Sequence, residues 1–260
     1  MAAEEGKFGP ELYTVENLDD EKKEKLSSFL KLFEKDAPSE GCALRFLVAR
    51  QFDTDLAKTM YDDTQAWRAE TKPEQFIEKT ADFEHITKKK LVVEFPFSDQ
   101  KGRPILCVNG QRMDKNWDAK HKETATLHMM EKMCAQVGDT GQFIMVWDMQ
   151  NIGWSNVDYG ILQYCIQILQ NYYPERMGLC FVTNTNWIFN VAWGIVAPWL
   201  DPRTRAKIII CNGNGKEELL SDQIGLKPEQ LPKTFGGTYD DTDLMKDESP
   251  APEAKKGWLW

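Results

Sequence analysis

The chain has 260 residues, 42% hydrophobic and 28% charged, which is enough apolar material for one good core or for a large domain beside a small one. A formal net charge of -9 and a pI near 5.0 argue against nucleic acid held by bulk charge and against electrostatic attachment to a membrane, so membrane contact should be apolar or headgroup-specific. The N-terminal residues are charged from Glu4 and lack the apolar stretch of a signal peptide. Cys42, Cys107, Cys134, Cys165, Cys180 and Cys211 lie far apart with no C-x-x-C pair, which points to free thiols in a reducing compartment, most simply the cytosol.

In chain order, the pattern is helical from about Glu16 to Glu70. "CALRFLVAR" sets Leu44, Leu47 and Val48 on one side, with Arg45 and Arg50 elsewhere. In "DTDLAKTMYDDTQAWRAE", Asp53 is placed as N-cap, and Leu56, Met60 and Trp67 are spaced as an apolar stripe. "TKPEQ" breaks the pattern and puts a boundary between Thr71 and Phe83. Short apolar runs follow, rich in β-branched and aromatic residues: "LVVEF" (91–95), "PILCV" (104–108), "FIMVWDM" (143–149), "GLCFVTN" (178–184) and "AKIIICN" (206–212). "SDQKGRP" between the first two predicts an antiparallel hairpin, and the continuous character of the last three predicts strands covered on both faces. Helices are predicted over 117–136 and from Ser155, whose S-x-x-D start with Asp158 reads as a capping box. Val157, Ile161, Leu162, Cys165, Ile168, Leu169 and Tyr172 form the apolar face of the second. Strands interleaved with helices define an α/β sheet. The tail "DDTDLMKDESPAPEAKKGWLW" (240–260) is acidic, then Pro/Ala-rich, a composition that predicts disorder over 244–260, and its terminal "WLW" is too short to fold alone.

"WIFNVAWGIVAPWL" (187–200) stands apart in a chain of mean hydropathy -0.53. It falls short of the ~20 residues a membrane-spanning helix needs. As a helix it carries Phe189, Trp193, Val196 and Leu200 on one stripe and Ile188, Ala192, Ile195 and Trp199 on another, leaving a narrow polar strip of Asn186, Asn190 and Gly194. A helix apolar nearly all round is either a core helix or one that faces an apolar body other than protein. Composition alone favours the core helix; three tryptophans left in water would cost on the order of 10 kcal/mol, so protein, ligand or bilayer should cover them.

No catalytic constellation is present. His85, His121 and His128 have no metal-ligand spacing with a cysteine or carboxylate, and there is no G-x-S-x-G. "NGNGKEEL" (212–219) lacks the hydroxyl residue and first glycine of a phosphate loop and reads as a turn before a helix. "DPRTRAK" reads as a solvated face, and Asp148, at the end of a strand, as a loop cap.

"LRFLVARQFDTDLAKTMYDDTQAWR", "DQKGRPI", "FIMVWDMQNIGWSN", "QNYYPERMG", "WLDPRTRAKI" and "LPKTFGGTY" resemble, in sequence and order, the CRAL-TRIO lipid-binding family, phosphatidylinositol transfer branch, over roughly 40–240. The resemblance implies an N-terminal helical domain (1–72) and a lipid-binding domain (85–243) in which a mixed sheet floors a lipid cavity, flanked by helices and closed by a gate helix. It makes Trp187 to about Ala197 the gate, with Phe143, Met145, Cys180, Val182, Trp187, Phe189, Trp193 and Val196 as cavity and gate residues. By the same resemblance Glu175, Thr204 and Lys207, with Arg45 and Arg50, would hold an inositol-phosphate headgroup. A lysine is a compact donor to phosphate and a threonine adds a hydroxyl, while Glu175 would accept from inositol hydroxyls or orient Lys207; an ordinary Glu175–Lys207 ion pair is the alternative.

Two departures bear on specificity. Val48 and Gln51 replace two basic residues of the family pattern, and Phe143 and Met145 replace the hydroxyl residues of members that read choline headgroups. The implied function is uptake and exchange of one phospholipid, phosphatidylinositol, by a monomer without catalysis, metal or cofactor, in transient contact with membranes and without nucleic acid. Open alternatives are a lipid sensor acting through a signalling or lipid-metabolising partner, a carrier of a sterol or similar ligand, and an unrelated α/β enzyme.

Overall fold

A computed structural model describes residues 9–248, except residues 11, 34, 79, 80 and 140; most of the tail from 244, including Trp258–Trp260, lies outside the described residues. Three helices come first: α1 (Asp20–Leu30), α2 (Glu40–Ala49) and α3 (Thr54–Thr71). Each begins on a side-chain oxygen that accepts from the first turn: Asp19 from Lys22 N–H, Ser39 from Cys42 N–H and Asp53 from Leu56 N–H. Lys72, in the left-handed region at φ 50°, and Pro73 after it end α3. Leu26, Phe29, Leu44, Phe46, Leu47, Val48 and Met60 fill the space between these helices. Leu56 departs from the predicted stripe and is 54% exposed, because it lies on the flank of α3 that lines a surface groove with Arg50 and Tyr172.

The remaining elements are α4 (Glu84–Lys88), β1 (Val92–Ser98), β2 (Pro104–Asn109), α5 (Ala119–Val137), β3 (Phe143–Asp148), α6 (Tyr159–Asn171), β4 (Met177–Thr183), α7 (Trp187–Val196), α8 (Pro202–Ala206), β5 (Ile208–Ile210) and α9 (Lys216–Leu219). The strands form one sheet in sequence order, with β1 and β2 antiparallel and every later pair parallel. α6 starts three residues later than the capping box at Ser155 predicts: Asp158 is itself the N-cap, accepting from Gly160 and Ile161 N–H. β5 is shorter than 206–212 and is an edge strand rather than one covered on both faces, with Ile210 45% exposed. Asp148 does cap its loop, accepting from Gln150 N–H at 3.0 Å and from Asn184 Nδ2 at 2.8 Å.

Alternation along buried strands separates two apolar layers. Ile105, Cys107, Ile144, Val146, Leu179 and Phe181 point to one face, sealed by Leu219, Ile224, Leu226, Leu231 and Phe235 from the chain after β5. Leu106, Val108, Phe143, Met145, Cys180 and Val182 point to the other, under α5, α6 and α7.

The helical unit is joined to this layer by α3. Trp67 stacks on Tyr172 (ring centroids 4.3 Å apart, 6° between planes), and the Thr64 hydroxyl donates to the Asn171 carbonyl at 3.2 Å. Buried Glu131 of α5 accepts from Arg68 at 2.8 and 3.0 Å and from the Tyr173 hydroxyl at 2.6 Å. These bonds raise the Arg68 pKa, while burial and the adjacent carboxylate raise that of Tyr173. Arg68→Met, which leaves the Glu131 charge buried without its cation, is expected to lower the unfolding free energy by about 2 kcal/mol, somewhat less than for a fully buried pair because Arg68 is partly solvated. Urea unfolding of the two proteins measures it.

Candidate functional site: an apolar cavity with a charged rim

Between the sheet and the three helices above it lies a cavity of about 240 Å³. Its floor is Val108, Met145, Trp147, Cys180 and Val182; Ala125, Met129 and Met130 of α5 and Ile161, Leu162, Cys165 and Leu169 of α6 form walls. α7 closes it with Phe189, Ala192, Trp193 and Val196. Along α6 only Ile161 and Ile168 are buried, although the helix carries a broad apolar face, because the rest of that face looks into the cavity instead of onto protein.

The structure therefore places Met145, Cys180, Val182, Phe189, Trp193 and Val196 on the lining. Phe143 is not among the lining residues: it is fully buried at the start of β3, its N–H bonded to the Arg176 carbonyl at 3.0 Å. Trp187 is not on the lining either; it is 64% exposed and meets Trp154 edge-on at 5.8 Å. Sequence reasoning missed Trp147, although the period of two that relates Phe143 to Met145 continues to it, and missed the α5 methionines, whose facing depends on helix packing.

α7 starts at Asn186, whose Oδ1 accepts from Ile188 and Phe189 N–H at 2.9 and 3.1 Å and whose Nδ2 donates to the Ile152 carbonyl at 3.1 Å. Ile188, Phe189, Ala192 and Val196 turn inward, and Phe189 stacks on Trp193 at 5.9 Å. Val191 and Ile195 are 48% and 45% exposed on the opposite side. Ile195 thus leaves the stripe assigned to it with Ile188 and Ala192: the inward face runs through Val196 instead. The helix has apolar side chains on both its inner and its outer surface.

At the rim, Thr204 of α8 lines the cavity and donates from its hydroxyl to Asp201 at 2.5 Å. Glu175, in the left-handed region at φ 58°, lies on the loop before β4. Its carboxylate accepts from Lys207 Nζ at 3.0 Å and from Arg203 at 2.8 and 3.1 Å. Lys207 is 5% exposed. Burial disfavours ionisation of Glu175, but the hydrogen bond from Arg203 and the charge of Lys207 outweigh it and hold the carboxyl below its usual range. Lys207 is shifted down as well, because its own burial outweighs the share of Glu175 that it receives. One carboxylate thus accepts from two cations.

The sequence pattern puts Arg203 on a solvated face, yet it sits four residues before Lys207 across the α8 turn, the spacing that brings both to one carboxylate. Arg45 donates to the carbonyls of Asp139 and Pro174 at 2.9 and 3.2 Å, bracing the loop that carries Glu175 rather than joining its cluster. Arg50 donates to the Ala49 carbonyl at 3.2 Å and lines the α3 groove, away from the cluster. Val48 is a core residue of the helical unit at 5% exposure. All six cysteines are free thiols. Among the described residues no group of three His, Cys, Asp or Glu side chains could hold a metal ion.

An α/β sheet with one face sealed and the other vaulted over an apolar cavity is the architecture of a domain that encloses a hydrophobic molecule. Residues 88–237 match the CRAL/TRIO domain, and the chain belongs to that family. It is 31% identical to the SEC14 cytosolic factor of Kluyveromyces lactis, over 86% of this chain and 80% of the relative. The SEC14 cytosolic factor of Candida glabrata is 32% identical, over 78% and 72%. The phosphatidylinositol/phosphatidylcholine transfer protein SFH7 of Arabidopsis thaliana is 27% identical over 80% of this chain and 41% of that one. The crystal structure of Sfh5 shares the fold, with a TM-score of 0.62 at 16% identity, over 80% of this chain and 83% of that one.

The folded Glu175 has a pKa below its ordinary 4.5, so its stabilising contribution is complete above about that pH and disappears as pH falls through the folded value. Glu175→Gln is expected to cost about 3 kcal/mol at pH 7, where Lys207 loses its counterion. The gap to the unsubstituted protein should close on acidification below pH 4.5. Denaturant titrations at several pH values measure both; a gap independent of pH would mean that the carboxylate charge contributes nothing.

Proposed function

We propose that the protein is a soluble, cytosolic carrier that encloses a single phospholipid, phosphatidylinositol, and exchanges it between membranes as α7 opens and closes. One observation carries this reading: Thr204 lines the apolar cavity, and the same short helix and its C-cap carry Arg203 and Lys207, both bound to Glu175. Acyl chains would lie against Met145, Cys180 and Trp193, while the phosphate meets Lys207 and Arg203 and inositol hydroxyls meet Glu175 and Thr204. The relatives named for phosphatidylinositol transfer support the choice of lipid. No covalent step is needed, since the work is desolvating a lipid and exchanging its headgroup contacts.

The outer face of α7 supports the exchange step. Trp187, Val191 and Ile195, with Trp154 beside them, present apolar surface to solvent. Tryptophan at such a position suits the boundary between headgroups and acyl chains. No helix among the described residues is long and apolar enough to cross a membrane, so the contact would be peripheral.

Lipid extracted from the purified protein and identified by mass spectrometry, followed by vesicle-to-vesicle transfer, tests the reading; absence of stoichiometric lipid and of any phospholipid transfer would refute it. Lys207→Ala is expected to reduce phosphatidylinositol transfer at least about tenfold, the loss of one charge-assisted hydrogen bond. The pair Trp187→Glu and Val191→Glu should slow transfer from vesicles while leaving the amount of lipid carried by the purified protein unchanged.

A further inference from the structure

A second charged pair lies in the cavity wall and takes no part in the cluster around Glu175. Lys122, in the first turn of α5, lines the cavity, and its side chain is 5% exposed. Its ammonium donates to the Lys115 carbonyl at 3.0 Å and to the Asp158 carboxylate. Asp158 lines the same cavity, and its Oδ1 accepts from Gly160 and Ile161 N–H at 3.0 and 3.2 Å. An ammonium has three N–H donors and finds two acceptors here, and Oδ2 of Asp158 takes Lys122 alone, so one donor and one acceptor site are left beside each other at the wall.

The neighbouring polar groups on the lining are already satisfied. The Thr126 hydroxyl donates to the Lys122 carbonyl at 2.9 Å. Asn156 donates to the carbonyls of Gln111 and Met113 at 3.0 and 2.7 Å and accepts from Gly153 N–H at 2.8 Å. The pair is also remote from the rim. Asp158 caps the start of α6, whereas Gln170, near its other end, bonds Asp201 N–H at 2.7 Å and so marks the α8 side. Twelve residues of helix between them span about 18 Å.

The chemistry of the pair selects its ligand. Burial opposes ionisation of Asp158, but the hydrogen bonds from Lys122 and from Ile161 N–H prevail and keep its carboxyl below the usual range, so Asp158 faces the cavity as a carboxylate held by the Lys122 donor. An anionic headgroup would be buried beside Asp158 with no cation of its own, at a heavy desolvation penalty. A hydroxyl both accepts from Lys122 and donates to Asp158, and leaves no polar group orphaned. We propose that Lys122 and Asp158 form a second polar anchor in the cavity that selects water-insoluble alcohols, their hydrocarbon bodies lying against Met129, Leu162 and Cys165. This shares with the proposed function only the premise that the cavity takes up an apolar ligand.

The test is a competition. The purified protein is equilibrated with dioleoylphosphatidylcholine vesicles carrying equal amounts of oleyl alcohol, oleyl methyl ether and oleic acid, and the bound ligands are extracted and quantified by mass spectrometry. The ether accepts a hydrogen bond but cannot donate one. The alcohol is expected to be retained about tenfold over the ether, as one hydrogen bond to a charged group allows, and the acid least of all. In the double variant Lys122→Met, Asp158→Asn, where asparagine still serves as an N-cap, the alcohol-to-ether ratio should fall to about one while phosphatidylinositol loading persists. A ratio near one in the unsubstituted protein overturns the proposal without recourse to any variant, and so does an unchanged ratio in a folded double variant. Cholesterol and 1,2-dioleoylglycerol, each run against its methyl ether, tell a rigid ring alcohol from a glyceride; preference for either alcohol supports the anchor and names its source. Loss of phosphatidylinositol loading with the tenfold ratio intact counts against the proposed function and leaves the anchor standing.

Discussion

Strands β2, β3 and β4 are apolar on both faces, so each face of the sheet must be shielded from water, and the two faces are shielded differently. The chain after β5 lies directly on one of them, with Leu219, Ile224, Leu231 and Phe235 fully buried. On the other, α5, α6 and α7 stand off the strands and enclose about 240 Å³. At roughly 24 cal/mol per Å³, an apolar space of that size left unfilled would cost a fold on the order of 5 kcal/mol. A hydrophobic ligand recovers that cost through contacts with the same Met, Leu and Cys side chains, so the cavity couples stability to cargo.

The two ends of the cavity are chemically unlike. At the rim, two cations share Glu175, and burial makes Lys207 less willing to stay charged than a surface lysine. That is a site of ion pairs in which both cations meet one carboxylate. At the start of α6, Lys122 and Asp158 cancel each other and leave only hydrogen-bonding capacity. Between them α7 is fixed at its start by Asn186, while its outer apolar side chains remain in solvent. Apolar side chains thus lie on both the inner and the outer surface of this helix.

Much of this was legible in the order of residues. Asp53 as a cap, the β1–β2 hairpin, continuous strands β3 and β4, and the short helix from Trp187 follow from local propensity and period, which act over a few residues. Glu175, Thr204 and Lys207 came from motif resemblance, and Glu175 and Lys207 prove to be in contact. The failures are equally specific. Ser155 looked like a cap because only the chain's path shows that Asp158 is the residue at the helix start. Phe143 shares the facing of Met145, but is fully buried and is not among the residues that line the cavity. Arg45 and Arg50 match a basic pattern, yet are engaged with backbone carbonyls elsewhere.

By itself the sequence determined the elements, their order and the family, because helix caps, turns and apolar periods are written in neighbouring residues. The tertiary structure alone decided which apolar side chains look into empty space rather than onto protein, that Arg203 joins Lys207 on Glu175, and that Lys122 is buried in the cavity wall beside Asp158. Those outcomes depend on how far helices stand from the sheet and on contacts between residues distant in the chain, and no local pattern encodes such distances.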